Sequence, residues 1–351
     1  MAALASPHGI DRYLASFDPM WRLDAVTARV VAANRETADA VTLTLEPNRN
    51  WRGFRAGQYV RIGFEIDGIR RTRCYSLSSS PDRASGLLDV TVKRHPHGLV
   101  SGFVQEHVRP GTIVTLSEAA GDFTLPEPFP SHVLFLCGGS GITPVMSMLR
   151  TLLDRGHQGR IDLIHFARRR ADVMFARELH VRARAHPSFR LHLSLTGEPP
   201  AAGDLAGHFT EELLARAVPT YANAEAWVCG PEGLVDAVAA TWDRHGRGHE
   251  LHVERFTAAP RPPAADATGG TVRFARSGRV VVSDGRSLLV QAEAAGLAPK
   301  SGCRMGICRT CLCPKPRGTV RDLVTGALSS EAEVAVRLCV SIPVGDVTLD
   351  L

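Results

Sequence analysis

Lysine is scarce in this sequence: three of the 41 basic residues are lysine and the rest are arginine. No basic tract is interleaved with aromatic residues, and the formal net charge over 351 residues is a mild +5. Nucleic-acid binding is therefore not expected. No apolar run approaches the ~20 residues that a transmembrane helix needs. The stretch MAALASPHGIDRYLASF lacks the basic start and apolar core of a signal peptide. The expected location is the cytoplasm, and the positive charge is compatible with peripheral association at a membrane. The eight cysteines are not spread as a disulfide framework, because five of them fall between positions 303 and 339. A second CxxC pair is missing, which argues against a zinc ribbon. The GxGxxG dinucleotide fingerprint is missing too, and no internal repeat is visible.

What is present begins with Cys303, Cys308, Cys311 and Cys339, spaced C-x4-C-x2-C…C. This is the plant-type arrangement in which four thiolates hold a 2Fe–2S cluster. Three of them share the loop SGCRMGICRTC, where Gly302 and Gly306 allow a tight wrap with backbone N–H groups aimed at sulfur. The fourth arrives in RLCVSIP, expected at the start of a strand. Cys313 is expected to be a small apolar filler beside the cluster and not a ligand.

Three segments follow from the patterning, flanked by an N-terminal extension over 1–21. Residues 22–126 contain short alternating or apolar runs: DAVTARVVAA, AVTLTLEP, QYVRIGFEI, RRTRCYSLSS, LLDVTVKRH and TIVTLSE. They predict an antiparallel β-barrel, with LVSGFVQEHV as a capping helix that faces inward at Leu99, Phe103 and Val104. Residues 131–256 alternate strand and helix, predicting an α/β doubly wound parallel sheet. RADVMFARELHVRA is read there as one helix. Residues 257–269 (TAAPRPPAADATG) read as a semi-rigid linker. Residues 270–351 give a hairpin, a helix and then the cysteine loop.

The barrel carries Arg73, Tyr75 and Ser76 in RTRCYSLSSS. Arg-x-Tyr on one strand sets a cation and an aromatic ring on one face, because side chains alternate with period two. That pair suits a flavin, the cation for its phosphate and the ring against its isoalloxazine. Downstream, Gly98 and Ser101 stand at the start of the capping helix, where free N–H groups favour a pyrophosphate. In the α/β segment, HVLFLC runs into GGSGITP, in which Gly139 and Gly141 permit close backbone approach to a nucleotide. Thr143 and Pro144 read as N-cap and first helical residue. A second turn, Cys229-Gly230-Pro231, ends a later strand of the same sheet, and ligands of such sheets bind at the carboxyl ends of strands. Arg168, Arg169 and Arg170 end the IDLIHFA strand, where arginine suits a ribose 2′-phosphate. NADPH is thus expected over NADH.

The order RxYS, HGLVSGF, GGSGITP, CGP, ERF and C-x4-C-x2-C…C resembles the ferredoxin–NADP reductase superfamily with a fused C-terminal ferredoxin domain. The resemblance covers about Trp21 to Leu351. Within that group the chain is similar to the flavodoxin/ferredoxin reductases that pass electrons to acyl-CoA desaturases. The stretch from PMWRLDAVTARVV to RRTRCYSLSSSP carries that likeness. The resemblance implies a multidomain fold: an FAD-binding barrel, an NAD(P)-binding α/β domain and an α+β (β-grasp) ferredoxin domain. It implies that Arg73 contacts the flavin phosphate, Tyr75 lies against the ring and Ser76 sits near N5. Gly98, Val100 and Ser101 would hold the pyrophosphate, and Thr143 and Cys229 would line the nicotinamide pocket. The Glu254–Phe256 stretch would close over the flavin, which makes Ser76, Cys229 and Glu254 the implied catalytic positions. Two departures stand out. Arg309 replaces a usual glycine in the cluster loop, and AAGDF replaces a GPxGxF-like loop, which leaves FMN as the alternative to FAD.

NADPH delivers two electrons and a 2Fe–2S cluster accepts one, so a flavin is needed between them. The expected activity is an NAD(P)H-dependent oxidoreductase that feeds electrons to a fatty-acyl desaturase or related diiron oxygenase. The alternative is an NADH-dependent reductase component of a ring-hydroxylating or other multicomponent oxygenase. A non-enzymatic redox sensor has little use for paired flavin and nucleotide sites.

Overall fold

The computed structural model describes residues 14, 16–96, 98–256, 270–301, 306 and 309–351. The expected linker 257–269 lies outside them, as does most of the extension 1–21. Two compact units result, Met1–Arg255 and Phe256–Leu351.

The first half of unit one is an antiparallel sheet of β1 (Val26–Thr37), β2 (Ala40–Pro47), β3 (Tyr59–Ile66), β4 (Ile69–Ser76), β5 (Leu88–Lys93) and β6 (Ile113–Leu116). The spatial order is β4-β3-β6-β1-β2-β5. A bridge between Leu77, just past β4, and Val90 of β5 closes the sheet into a barrel. Alternation turns Val30, Leu43, Leu45, Val60, Ile62, Phe64 and Val90 into one core. Helix α1 (Leu99–His107) covers an end of it through Val100 and Val104, both buried. Leu99 is 54% exposed, against expectation. The inward stripe starts one residue later, because Val100 and Val104 are the i, i+4 pair on the face that meets the core.

The second half is a parallel sheet with helices between its strands. It comprises β7 (His132–Gly138), α2 (Ile142–Asp154), β8 (Arg160–Ala167), α3 (Ala176–Ala185), β9 (Phe189–Leu195) and β10 (Leu205–Ala206). It continues with α4 (Glu211–Ala217), β11 (Glu225–Cys229), α5 (Glu232–Arg244) and β12 (Leu251–Glu254). The order β10-β9-β8-β7-β11-β12 makes it doubly wound, with the direction of winding reversing between β7 and β11. RADVMF is not part of the α-helix: a 3-10 turn at Arg170–Asp172 precedes Phe175, whose φ of +58° delays the start of α3.

Unit two has β13 (Thr271–Phe274), β14 (Arg279–Val282), α6 (Leu288–Ala294), β15 (Leu312–Lys315), β16 (Arg317–Asp322), β17 (Leu328–Ser329), β18 (Val334–Arg337) and β19 (Ser341–Leu349). Five of these strands form the sheet β14-β13-β19-β16-β17, in which β13 and β19 run parallel. Leu288, Leu289 and Ala292 of α6 join the core beneath it with Phe274 and Val347. This is the α+β, grasp-like arrangement expected. Cys339 falls in the turn between β18 and β19, two residues before the strand that was expected to begin there.

Candidate functional site

The glycine turns after β7 and β11 flank the point where the sheet reverses its winding, the customary ligand crevice of such folds. Cys137 and Cys229 are lateral neighbours at the ends of these strands. The turns pack backbone on backbone: a Cβ at Gly141 would lie 2.1 Å from the Cys229 carbonyl oxygen, and one at Gly230 would lie 2.8 Å from the Gly138 nitrogen. Gly139 has φ +53° and open space where a Cβ would be, so it leaves its neighbourhood accessible to a ligand. Pro231 also closes on this turn, 2.8 Å from the position of a Cβ on Gly138.

Thr143 and Pro144 sit deeper in the helix than expected. Gly141 is the N-cap of α2 and Ile142 its first residue. Thr143 Oγ1 donates back to the Ser140 carbonyl at 3.0 Å and does not cap an N–H. Pro144 occupies the third helical position, where its missing N–H costs nothing.

Residues in register across a parallel sheet share a face, and one such row is chemically unusual. His165, Cys137, Cys229 and Glu254 lie side by side on β8, β7, β11 and β12. His165 Nδ1 is 3.2 Å from Cys137 Sγ. Burial holds His165 down at about 4 and pushes the Cys137 and Cys229 thiols well up. Burial also raises the Glu254 carboxyl to about 8. At neutral pH the row therefore carries neutral imidazole, two neutral thiols and a protonated acid. Glu254 Oε2 is buried without a hydrogen-bond partner among the described residues. An unmet polar atom at the ligand crevice fits a pocket that a nicotinamide or flavin edge completes. Sequence reasoning missed His165 and Cys137. The signal for Cys137 was available, since both thiols immediately precede a glycine turn.

On the barrel, Tyr59 of β3 pairs with Ser76, Val60 with Tyr75 and Ile62 with Arg73. Tyr75 packs on the core with its ring edge-to-face to Phe64 at 6.5 Å. Burial raises its hydroxyl pKa, so the ring acts as an apolar, uncharged surface. Arg73 donates to the carbonyl of its neighbour Thr72 at 2.8 Å. It forms no ion pair among the described residues, so its charge is available to an anion. Ser76 is buried at the strand end. Gly98 is the N-cap of α1 and supplies no side-chain cap, so first-turn N–H groups remain for a phosphate. Ser101 Oγ is spent locally, accepting from His95 N at 3.0 Å and donating to the Gly98 carbonyl at 3.2 Å. Val100 is buried in the barrel core. These features fit a flavin with its phosphates on α1.

The serines following β4 lock this half to the other. Ser147 of α2 donates to the Ser79 carbonyl at 2.7 Å, and Arg150 donates to the Ser78 carbonyl at 2.6 Å. The two halves of the unit are thus held by one buried and one partly buried polar contact.

Arg168, Arg169 and Arg170 are all exposed at the end of β8. Arg170 is engaged by the Asp204 carboxylate. Arg168 and Arg169 form no ion pair among the described residues and leave two uncompensated charges where a ribose phosphate would lie.

In unit two, the sulfurs of Cys311 and Cys339 are 3.2 Å apart, beyond the ~2.05 Å of a disulfide. The Gly306 N–H donates to Cys339 Sγ at 3.2 Å. Converging thiols with an N–H on sulfur fit a cluster site. Cys303 and Cys308 lie outside the described residues. Cys313 is in the apolar core, and burial raises its thiol to about 11. Phe256 stands half-buried at the start of this unit.

Comparison with known proteins matches three domain families in this order. An oxidoreductase FAD-binding domain covers residues 27–125, an oxidoreductase NAD-binding domain 135–240, and a 2Fe-2S iron-sulfur cluster binding domain 273–344. An NADPH oxidoreductase of Mycobacterium tuberculosis is 41% identical over 355 residues, spanning 100% of this chain and 90% of the relative. A glycine betaine monooxygenase reductase subunit of Chromohalobacter salexigens is 32% identical over 324 residues, covering 85% of this chain and 87% of the relative. The fold matches that of phthalate dioxygenase reductase with a TM-score of 0.61 at 23% identity, over 93% of this chain and 97% of the other. No helix among the described residues is long and apolar enough to cross a membrane.

Proposed function

This chain belongs to the ferredoxin–NADP reductase superfamily, in the form with a C-terminal 2Fe–2S domain, and on that premise we propose a specific route for its electrons. It takes them from NADPH through FAD and one 2Fe–2S cluster to a fatty-acyl desaturase or related diiron oxygenase. The bound flavin supplies the conversion between a hydride and single electrons. Arg73, Tyr75 and Ser76 orient it, and Gly98, Val100 and Ser101 shape the phosphate end on α1. Gly139, Gly141, Thr143, Cys229, Gly230 and Pro231 form the nicotinamide crevice. Glu254, protonated near neutrality because it is buried, stores a proton at that crevice. Cys303, Cys308, Cys311 and Cys339 hold the iron.

The observation that carries the NADPH reading is the contrast among three adjacent arginines. Arg170 is paired with Asp204, whereas Arg168 and Arg169 have no counter-charge among the described residues. A 2′-phosphate supplies one, and a free ribose hydroxyl does not. The relative named an NADPH oxidoreductase supports the same reading. The test is steady-state kinetics of the purified holoprotein with both nucleotides. Arg168→Ala should cost about 1.5–3 kcal/mol of NADPH preference, seen as a raised KM for NADPH with NADH hardly affected. Arg170→Ala is the control and should leave the ratio nearly unchanged. Equal effects of Arg168→Ala on both nucleotides would remove the phosphate contact, and wild-type preference for NADH would overturn the reading.

A second reading keeps the cofactors but makes the acceptor a ring-hydroxylating or other multicomponent oxygenase, with NADH as donor. The relative named as a glycine betaine monooxygenase reductase subunit favours it. Reconstitution with each class of acceptor separates the two readings.

A further inference from the structure

One arginine of unit two reaches the cysteine loop directly. Arg337, at the end of β18, donates from Nη1 to the Gly306 carbonyl at 2.6 Å. The N–H of that same glycine donates to Cys339 Sγ at 3.2 Å. On its other side, Arg337 Nη2 meets Asp322 Oδ2 at 2.5 Å. Asp322 is itself fixed, because its Oδ1 accepts from Val324 N at 2.9 Å and Thr325 N at 3.0 Å. A continuous chain of contacts therefore runs from the turn after β16, through the guanidinium, to the loop backbone and on to a ligand sulfur. Gly306 has φ +77°, and a Cβ there would lie 2.8 Å from Val340 Cγ2. The loop is pressed against the turn into β19 at this point, and only glycine fits.

Two consequences follow. The clamp fixes the direction of the Gly306 N–H, and an N–H aimed at a ligand sulfur stabilises charge on it. The guanidinium is also a permanent cation on the loop side of the pair, with the Asp322 carboxylate behind it. Reduction adds one negative charge to a cluster already bound by thiolates. A cation held close to the loop favours the reduced form, and an anion opposes it. The side chains of Arg337 and Asp322 are only 26% and 20% exposed, so water screens them incompletely.

We propose that Arg337 is a positioning residue for the cluster loop and that its charge raises the reduction potential of the cluster, drawing electrons out of the flavin. This rests on the reading that the four cysteines hold a 2Fe–2S cluster. Iron content and the visible spectrum of the wild-type protein test that reading separately.

The decisive measurement is a redox titration of the full-length holoprotein, followed by the electron paramagnetic resonance of the reduced cluster. Arg337→Gln should shift the equilibrium about tenfold towards the oxidised form, which is 59 mV for a one-electron couple. Arg337→Lys keeps the charge and one donor, and should recover more than half of that shift. Asp322→Asn removes the opposing charge and should move the potential upwards. A purely structural clamp would shift both Arg337→Gln and Asp322→Asn in one direction, or neither. Arg337→Gln with full iron and an unchanged potential overturns the proposal, as does a downward shift in Asp322→Asn. If Arg337→Gln fails to retain iron, the sign of the Asp322→Asn shift decides alone.

Discussion

Arg150 and Glu178 form a two-point clasp, with Arg150 Nε donating to Oε1 at 2.9 Å and Nη2 to Oε2 at 2.6 Å. The guanidinium also lies 5.3 Å from the centre of the Phe175 ring and donates to the Ser78 carbonyl. Burial opposes the charge on each partner, but the pairing outweighs it, raising the Arg150 pKa and lowering that of Glu178. One side chain thus joins α2, α3 and the serine segment that follows the proposed flavin residues Tyr75 and Ser76. Nothing in the sequence pattern around Arg150 reveals this.

Arg150→Ala should cost about 2–4 kcal/mol of unfolding free energy, somewhat less than the ~3–5 kcal/mol for breaking a fully buried pair, because the Glu178 side chain is 30% exposed. The loss stays at the low end if Arg182, 2.7 Å from Glu178 Oε1, keeps the carboxylate satisfied. Arg150→Lys should recover less than half, because an ammonium cannot reproduce the fork. Chemical denaturation of the three proteins checks this, and an alanine variant as stable as wild type would refute it.

Glu254 gives the first unit a pH dependence of defined sign. Its carboxyl stands at about 8 when folded, against an ordinary value of 4.5. Between these values the unfolded chain has released the proton and the folded chain retains it. The native state then binds more protons, so stability falls as pH rises through this window. Below it there is no contribution, and above it the full penalty persists. Glu254→Gln should match wild type near pH 4.5 and melt progressively higher than wild type up to pH 8.5, the gap widening by at most ~1.4 kcal/mol for each step of one in pH. Thermal melts without nucleotide provide the measurement, and midpoints that stay parallel at every pH would contradict it.

Of the three buried cysteines of the ferredoxin core, Cys339 and Cys313 should behave differently. Cys339→Ser should cripple the cluster and leave the flavin in place, because the ligand lies outside the barrel. Cys313→Ser should retain the cluster and lose about 1–2 kcal/mol of stability, from placing a hydroxyl in an apolar site. Iron and flavin analysis of both variants distinguishes them. Normal iron in Cys339→Ser would remove the fourth ligand from the assignment.

Much of the architecture was legible because period-two alternation in β2 and β3 and the strand–helix rhythm from β7 to α5 are strong, local signals. The glycine turns were legible for a similar reason: Gly141 and Gly230 leave no room for a Cβ, so the chemistry of the crevice is written into residue type. Tertiary register was not legible. That His165, Cys137, Cys229 and Glu254 form one row depends on strand order, which no local pattern encodes. The helix expected over RADVMF fails because Phe175 adopts φ +58°. Its N–H is taken by Glu36 Oε2 of the barrel at 3.2 Å, a contact 139 residues away in sequence. The inward face of α1 was misplaced by one residue, since Leu99 and Val100 are equally apolar and only the packing separates them.

Arg309 stands in the cysteine loop where the family resemblance implies a glycine. Its φ is +53°, a left-handed conformation that costs a residue with a Cβ about 1–2 kcal/mol. It is exposed, and Leu312 beside it is 46% exposed. Elsewhere in the unit, Arg276, Arg286 and Arg337 are paired with Asp350, Asp284 and Asp322, whereas Arg309 has no ion pair among the described residues. Residues 270–351 carry eleven basic and seven acidic side chains. A strained, exposed and uncompensated cation in the loop of the proposed ligands is suited to an acidic docking face on the acceptor. Arg309→Gly should stabilise the protein by about 1 kcal/mol and yet slow electron transfer to the acceptor. Arg309→Glu should slow it further, by about tenfold at low salt. Wild-type transfer should weaken as ionic strength rises, because charges are screened over roughly 8–10 Å near physiological salt. The assay is NADPH-driven desaturation of acyl-CoA by a reconstituted membrane desaturase, followed as double-bond formation. Salt-insensitive transfer would eliminate the electrostatic docking, and turnover with a soluble oxygenase alone would transfer the acceptor assignment to that class.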